Sequence, residues 1–388
     1  MRILVANIGS TSFKYRLYDW PGDTPVARGQ VERIGQPGGC PDYGSAIETC
    51  LAQLGALASL DAVAFKAVHA GPLSGARLVN EEVLRAMEEF VFLAPAHNPP
   101  YLAAMRAFQQ RLPSVPLVAL FETAFYDSLE ESAVAYPVPY EWMRDLGVRR
   151  YGFHGASHRA ASERVSELLG RRDVRHISCH LGGSSSLAAI RGGAAVDTSF
   201  GVSVQSGIPH NNRAGDVDAF AALYVMKRLS LGVEEMARIL ATRSGLAGLS
   251  GGSGDMRDLH AAANSGDPRA RLAIDVFVRA VRRYLGAFLV ELGGLDVLTF
   301  SGGIGENDPA IRAAVCRGLA AFGIVLDSAA NLAAHGEACL SSAASPAAIY
   351  VVPADEERIV AREAAELLST SSKVDHTEAA PSIAGARR

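Results

Sequence analysis

The sequence has no CxxC or HExxH spacing, no excess of basic charge and no run of about 18 uninterrupted apolar residues. Each absence excludes something. The five cysteines (Cys40, Cys50, Cys179, Cys316 and Cys339) are odd in number and widely spaced. They read as buried thiols of a reducing compartment rather than as a disulfide or zinc framework. Lys+Arg number 37 against 41 Asp+Glu, for a net charge of −4. That balance argues against a nucleic acid or other polyanion as partner, while leaving room for a locally positive cleft that holds a small anion. Without a long apolar run there is no membrane span, and the run Ile3-Leu4-Val5 after Met1-Arg2 is too short for a signal peptide. The expected location is cytoplasmic.

What is present is an ordinary globular composition, 49% hydrophobic over 388 residues, enough for two or three domains. Ile3 to Ala6 reads as a strand. After the turn Asn7-Ile8-Gly9-Ser10-Thr11-Ser12, Phe13, Tyr15 and Leu17 alternate with Lys14 and Arg16. A period of two predicts a hairpin with one wet face, on which Lys14 lies. A related unit recurs at 174–191, where Val174 to Cys179 leads through Gly182-Gly183-Ser184-Ser185-Ser186 into Leu187 to Ile190. Two such units suggest a duplicated domain, each half presenting a polar turn. Between them lie helices, one capped by Asn80 over Glu81 to Phe92 and a long one from Asp267-Pro268 to Gly293-Gly294. Ala348 to Val352 forms a last strand, followed by a helix from about Asp355 to Ser369. The segment 370–388 is rich in Ser, Ala, Pro and charge and reads as disordered. The class is α/β with two lobes.

Three glycine-rich turns each follow a strand: Gly9 to Ser12, Gly182 to Ser186, and Gly302-Gly303-Ile304-Gly305. Glycine lets a backbone approach a phosphate closely, and successive N–H groups and serine hydroxyls supply donors. None has the GxxxxGK[ST] spacing of a P-loop or opens a GxGxxG dinucleotide unit. Histidine-rich segments accompany them, at Val68-His69-Ala70-Gly71, Ala96-His97-Asn98-Pro99-Pro100 and Arg149 to His158. Such His and Arg groups can neutralise a phosphoryl group in flight. Zinc is the competing reading of the histidines, disfavoured by their spacing. Taken singly, His69, His158 and His180 read as structural imidazoles.

Together these segments resemble the motifs of the acetate kinase family. The stretches Asn7 to Lys14, Leu93 to Pro100, Arg149 to His158, His180-Leu181-Gly182, Asp255-Met256-Arg257-Asp258 and Gly302 to Asn307 stand in the family's order across roughly 1–368. The resemblance implies a duplicated ribonuclease-H-like fold of the actin, Hsp70 and sugar-kinase type with nucleotide in the interdomain cleft. Its lobes would be 1–126 plus 356–369, and 127–355. It implies transfer of the ATP γ-phosphate to acetate or a similar short acid, Mg²⁺ (or Mn²⁺) as metal, and a homodimer. Asn7 and Glu356 would hold the metal. Ser10, Ser12 and Lys14 would meet the phosphates, together with His180, Gly182 and Gly183. Asp255, Met256, Arg257, Gly302, Gly303, Ile304, Gly305 and Asn307 would frame the adenosine. His154 and Arg213 would stabilise the transferring group, with His97 nearby, and Lys66 and Glu122 complete the catalytic set. Val68, Ala96, Phe153 and Val204 would line the acyl pocket.

The departures from the family pattern cluster at the acyl and phosphoryl ends. Lys66 stands where the family has Arg, and a point charge on a flexible stem replaces a bidentate fork. Glu122 replaces Asp, Gly183 replaces Asn, Val204 replaces Pro, and Asn211-Asn212-Arg213-Ala214-Gly215-Asp216 replaces Gly-Thr-Arg-Ser-Gly-Asp. Ala96 is smaller than the usual Leu and would widen the pocket. The competing readings are a kinase of the same fold with propionate, another acid or a hydroxyl as acceptor, one with pyrophosphate as donor, and a non-catalytic nucleotide-binding regulator.

Overall fold

The computed structural model describes residues 1–9 and 11–378. The chain divides into two compact units. The first comprises Met1–Val91, Ala96–Phe121 and the chain from Glu357 onward, and the second comprises Phe92–Pro95 and Glu122–Glu356.

The first unit is built on a six-stranded sheet of β1 (Arg2–Ile8), β2 (Ser12–Asp19), β3 (Ala27–Glu32), β4 (Ala62–Ala67), β5 (Gly75–Leu78) and β6 (Leu117–Phe121), in the order β3-β2-β1-β4-β6-β5. The parallel trio β1, β4 and β6 forms its middle. Leu117–Phe121 is buried at every position, as a strand covered on both faces must be. On β2, Phe13, Tyr15 and Leu17 are buried and Lys14 is exposed, so the alternation read from the sequence is the observed one.

The second unit repeats this plan. Its sheet contains β7 (Arg175–Leu181), β8 (Ser185–Arg191), β9 (Ala194–Thr198), β10 (Val297–Ser301), β11 (Ala338–Cys339) and β12 (Ala348–Val351), in the order β11-β12-β10-β7-β8-β9. In both sheets an antiparallel hairpin leads to a third antiparallel strand on one side. On the other side two parallel neighbours follow, and a short antiparallel strand closes the edge. The duplication is therefore strand for strand. Even the registers correspond: the pair next to last before the turn is Asn7↔Lys14 in the first hairpin and His180↔Ser186 in the second.

The core helix of the second unit runs Pro268–Glu291. The Asp267 side chain caps it, accepting from the Arg269 and Ala270 N–H groups, and Pro268 opens its first turn, where no N–H is needed. Ala273, Phe277, Val281, Leu285 and Phe288 form its buried stripe, in one apolar cluster with Leu187 and Ala189 of β8 and Ile177 and Cys179 of β7. Asn80 caps its helix as expected, though that helix ends at Glu89 instead of Phe92. The thiols are less uniform than the sequence suggests. Cys50, Cys179 and Cys316 are buried, and burial pushes Cys50 and Cys316 up to about 12, but Cys339 is exposed on the edge strand β11. The last helix runs Glu356–Glu378, beyond the expected end at Ser369. The rest of the segment read as disordered, 379–388, lies outside the described residues. No helix among the described residues is long and apolar enough to cross a membrane.

Candidate active site

In the second unit, a cavity of about 610 Å³ opens between the hairpin turn and the helix Gly302–Asn307. Gly182, Gly183, Asp255, Met256, Arg257, Gly303, Ile304 and Asn307 line it, all of them residues singled out in the sequence. Asn211, noted in the sequence only as a departure from the family pattern, lines it as well, as do His260 and Asp308, which were not singled out. Asp255 caps the helix Met256–Asn264 and pairs with the Arg257 guanidinium at 2.6 Å, which holds its carboxyl down at about 2. Gly302 and Gly305 stand behind the wall. Gly302 has φ +77°, and a Cβ there would come within 2.7 Å of the Leu181 carbonyl oxygen, so only glycine lets this helix close on β7. Its N–H donates to Glu306 Oε1, which also accepts from the Ala354 N–H (2.9 and 3.0 Å). Glu306 thereby ties the cavity wall to the segment that carries Glu356.

The turn 182–186 continues into a histidine network. His154 caps the helix Gly155–Leu169 in a left-handed conformation, φ +58°, which costs a non-glycine residue about 1–3 kcal/mol and marks a position held by its surroundings. What holds it is visible. Its Nδ1 meets Ser186 Oγ at 2.9 Å, Ser186 Oγ meets His158 Nε2 at 2.8 Å, and His158 Nδ1 meets Ser178 Oγ at 2.8 Å. His158 is fully buried, and burial, with His180 and His176 adding to it, pushes its pKa well down. It is therefore neutral, with one ring nitrogen donating and the other accepting. His180 lies with its ring 4.3 Å from that of His154, and its Nδ1 is held by Ser157 Oγ at 2.8 Å. Gly155 allows this packing, since a Cβ there would fall 2.0 Å from the Glu122 carbonyl oxygen. Glu122 itself is buried at the start of the 3-10 turn Glu122–Tyr126. The sequence singled out His154 and His180, but Ser178, and the role of Ser186 as a partner of the histidines, become visible only once β7 and β8 pair.

The loop after β9 supplies a cation. Arg213 is 6% exposed, and Nη1 donates to the Val204 carbonyl at 2.7 Å. Burial lowers its pKa to about 10, leaving it charged at neutral pH. His210 braces the loop. Its Nδ1 accepts from the Ser185 N–H (3.0 Å) and its Nε2 donates to the Ser206 carbonyl (3.3 Å), which defines a neutral Nε2–H tautomer. Phe200 stacks on the His210 ring and meets Phe153 edge-on at 5.2 Å. Phe153 and Val204 are both buried.

The first unit carries the remaining candidates. Asn7, the last residue but one of β1, is half-buried, Ser12 begins β2, and Lys14 borders a cavity of about 340 Å³ with Arg28 and Glu357. Ser10 lies outside the described residues. Lys66 and Val68 lie at the end of β4, and His97 caps the helix Asn98–Arg111, with Ala96 exposed before it. Asn98 Nδ2 donates to the His69 and Met87 carbonyls, both at 2.8 Å, fixing the start of that helix to the chain after β4. Asn7 and Glu356 belong to different units.

A glycine-lined cavity, with a buried guanidinium and a histidine network on the stretches of chain that continue from its lining, is the arrangement of a phosphotransferase. The comparisons with known proteins agree. The model of the Acetokinase family matches residues 36–362. The acetate kinases of Geobacillus kaustophilus and Shouchella clausii are each 38% identical to this chain, over 94% and 95% of it and 99% and 100% of their own length. Among solved structures, Porphyromonas gingivalis acetate kinase is 35% identical with a TM-score of 0.85, covering 95% of this chain and 99% of that one. A Francisella tularensis propionate kinase is 31% identical with a TM-score of 0.87, covering 93% and 98%. This chain belongs to the acetokinase family and is an acetate kinase-type phosphotransferase.

Proposed function

We propose that the chain catalyses reversible transfer of the ATP γ-phosphoryl group to the carboxylate of acetate or a closely similar short acid. One observation carries this reading: two stretches of chain link the glycine-lined cavity to the candidate catalytic groups. The turn 182–186 lines the cavity through Gly182 and Gly183 and reaches His154 through Ser186. The loop 211–213 lines it through Asn211 and bears Arg213 two residues on. Nucleotide held in the cavity would thus have its phosphates directed toward a buried cation and an imidazole.

In the reaction proposed, a carboxylate oxygen attacks the γ-phosphorus, the bond from that phosphorus to the β-bridging oxygen breaks, and ADP leaves with the electron pair. A carboxylate is ionised at pH 7, so no general base is needed. The chain's contribution is positioning and charge neutralisation. Arg213 would meet the equatorial oxygens, oriented by the Val204 carbonyl. His154, set by Ser186, would donate a hydrogen bond to the same group. Lys66 would hold the carboxylate, and Val68, Ala96, Phe153 and Val204 would face its alkyl group. Asn7 and Glu356 suit Mg²⁺ in donor chemistry, since both offer hard oxygens and the Asn7 carboxamide has no hydrogen-bond partner among the described residues. Mg²⁺ would neutralise phosphate charge.

The helix Ala219–Leu229 supports a homodimer. It has no buried residue, yet Phe220, Leu223, Tyr224 and Leu229 are more than half exposed. A short helix whose only charged residues are Lys227 and Arg228 in its last turn, with its large apolar side chains exposed, needs a covering surface. Sedimentation of the Phe220→Asp variant should show monomer.

The deciding experiment traps acyl phosphate as hydroxamate with MgATP and acetate, propionate, butyrate or glycolate. Signal on acetate means that Lys66 and Glu122 serve where relatives use Arg and Asp. Signal on another acid alone makes those residues determinants of acid choice. Absence of signal on all four, with ATP bound, would overturn the reading.

A further inference from the structure

Along the helix Pro268–Glu291, Arg271, Asp275, Arg279 and Arg283 recur every four residues and so lie on one ridge. That ridge borders a cavity of about 1420 Å³ whose far wall is the helix Pro309–Cys316 and the chain through Phe322. Arginine dominates its charged lining: Arg271, Arg279, Arg282, Arg283 and Arg317, against the single carboxylate of Asp275. Arg282 is engaged, its Nη1 donating to the Ala314, Val315 and Arg317 carbonyls. The other four make no side-chain hydrogen bond or ion pair among the described residues. Elsewhere on this unit Arg144, Arg164, Arg175 and Arg238 each grip a carboxylate. Arg279 and Arg283, one turn apart, repel each other. Four unpaired guanidinium groups around one cavity call for an anion, and the planar fork of arginine suits phosphate.

The same cavity is apolar beneath. Ile274, Leu285 and Ile311 are buried in its floor, and Val290 and Phe322 stand exposed at its rim. It is also not isolated. His260 lines both this cavity and the glycine-lined one, and its Nε2 meets Asp308 Oδ2, the cap of the helix Pro309–Cys316, at 2.8 Å.

We propose that this arginine-bordered cavity is a second ligand site, separate from the glycine-lined cavity, for an organic phosphate that carries an apolar body. The proposal does not depend on the acid acceptor or on the assignment of catalytic residues.

Titration calorimetry of the full chain with octyl phosphate, with and without saturating MgATP, tests it. Octyl phosphate should bind in both conditions, with octanol and inorganic phosphate each weaker by about tenfold or more. The double variant Arg279→Ala/Arg283→Ala, with an unchanged melting temperature, should lose about tenfold or more in octyl phosphate affinity while its affinity for MgATP stays the same. Equal binding of octanol, or unchanged affinity in the double variant, overturns the proposal. So does binding that MgATP abolishes and Arg257→Ala removes, which would place the anion in the glycine-lined cavity. A change in sedimentation of the double variant also overturns it, by putting a second copy of the chain over the groove.

Discussion

The two hairpins share a topology and a register but not a chemistry. At matched positions the first pairs half-buried Asn7 with exposed Lys14, and the second pairs His180 with fully buried Ser186. On β8 every residue from Ser185 to Ile190 is buried, whereas β2 keeps a wet face. The reason is what covers each. The helix Gly155–Leu169 packs on β7 and brings His154, Ser157 and His158 against Ser178, His180 and Ser186. In the first hairpin Lys14 faces an open cavity. One plan thus yields an exposed charge able to meet a ligand directly and a histidine–serine network that fixes the orientation of His154.

The largest effect that bears on this contrast comes from the one buried cation of the second unit's loop. Arg213→Ala should lower kcat by about 10²–10³, the scale of losing one preorganised donor. Arg213→Lys should recover little, because an ammonium presents all its donors from one atom and cannot span from the Val204 carbonyl to a second acceptor as the planar guanidinium does. Near-normal kcat in a folded Arg213→Ala protein would remove it from the chemistry. The hairpins themselves are compared next. Ser186→Ala deprives His154 and His158 of a common partner, so we expect a loss of about 1–3 kcal/mol in stability together with a fall in kcat at unchanged KM for the acid. Lys14→Ala, at an exposed site, should change stability by less than about 0.5 kcal/mol and act mainly on KM for ATP. Equal destabilisation by the two variants would break the contrast.

Acid separates the hairpins further. His158 is held neutral well below its ordinary value, and burial lowers His176 to about 3. Both are depressed, so below about pH 6.5 the unfolded chain binds protons that the native sheet refuses. Stability from each group is complete above that pH and is lost as pH falls. The slope is about 1.4 kcal/mol per pH unit per histidine. Calorimetric melting from pH 7.5 to 5 should show this decline, and His176→Gln should flatten it. A melting temperature insensitive to pH in this range would mean that neither imidazole stays neutral on folding.

How much of this was legible in the sequence follows from the range of the interactions. The Phe13-Tyr15-Leu17 alternation and the Asn80 and Asp267 caps are local signals, and each appears where it was read, as does the turn joining β7 to β8, whereas Gly302-Gly303-Ile304-Gly305, read as a turn, opens the helix Gly302–Asn307. The residues framing the glycine-lined cavity were found because they sit in compact motifs. His260 and His210 were passed over, while Ser186 was read only as part of a glycine-serine turn and Asn211 only as a departure from the family pattern. Serine and asparagine in a loop look the same whether they cap, turn or face a site, and only pairing across 25 residues gives His210 its role against Ser185. The exposure of Cys339 was likewise invisible, because it depends on β11 being an edge strand.

The subtlest case is a pair of departures that looked independent in the sequence. In the reading of the sequence against the family motif, Gly183 replaces Asn, which appeared to remove a phosphate donor, and Asn211 replaces Gly. The structure sets the two against each other: a Cβ built on Gly183 would lie 3.3 Å from Asn211 Nδ2. Asn211 therefore fills the space that a side chain at 183 would occupy, and both residues line the same cavity. Its Oδ1 is buried without a partner, so the amide is committed to this place without being fully satisfied there. The two changes read as one exchange, in which the amide moves from the hairpin turn to the facing loop. Gly183→Asn alone should crowd the cavity and weaken nucleotide binding by about tenfold, and Asn211→Gly alone should weaken it less, by loss of one polar contact. The double variant should bind nucleotide nearly as well as the parent, a coupling of about 1 kcal/mol or more between residues in contact. Additive losses in the nucleotide Kd values would show instead that the two positions diverged separately, and that the hairpin turn has lost its donor.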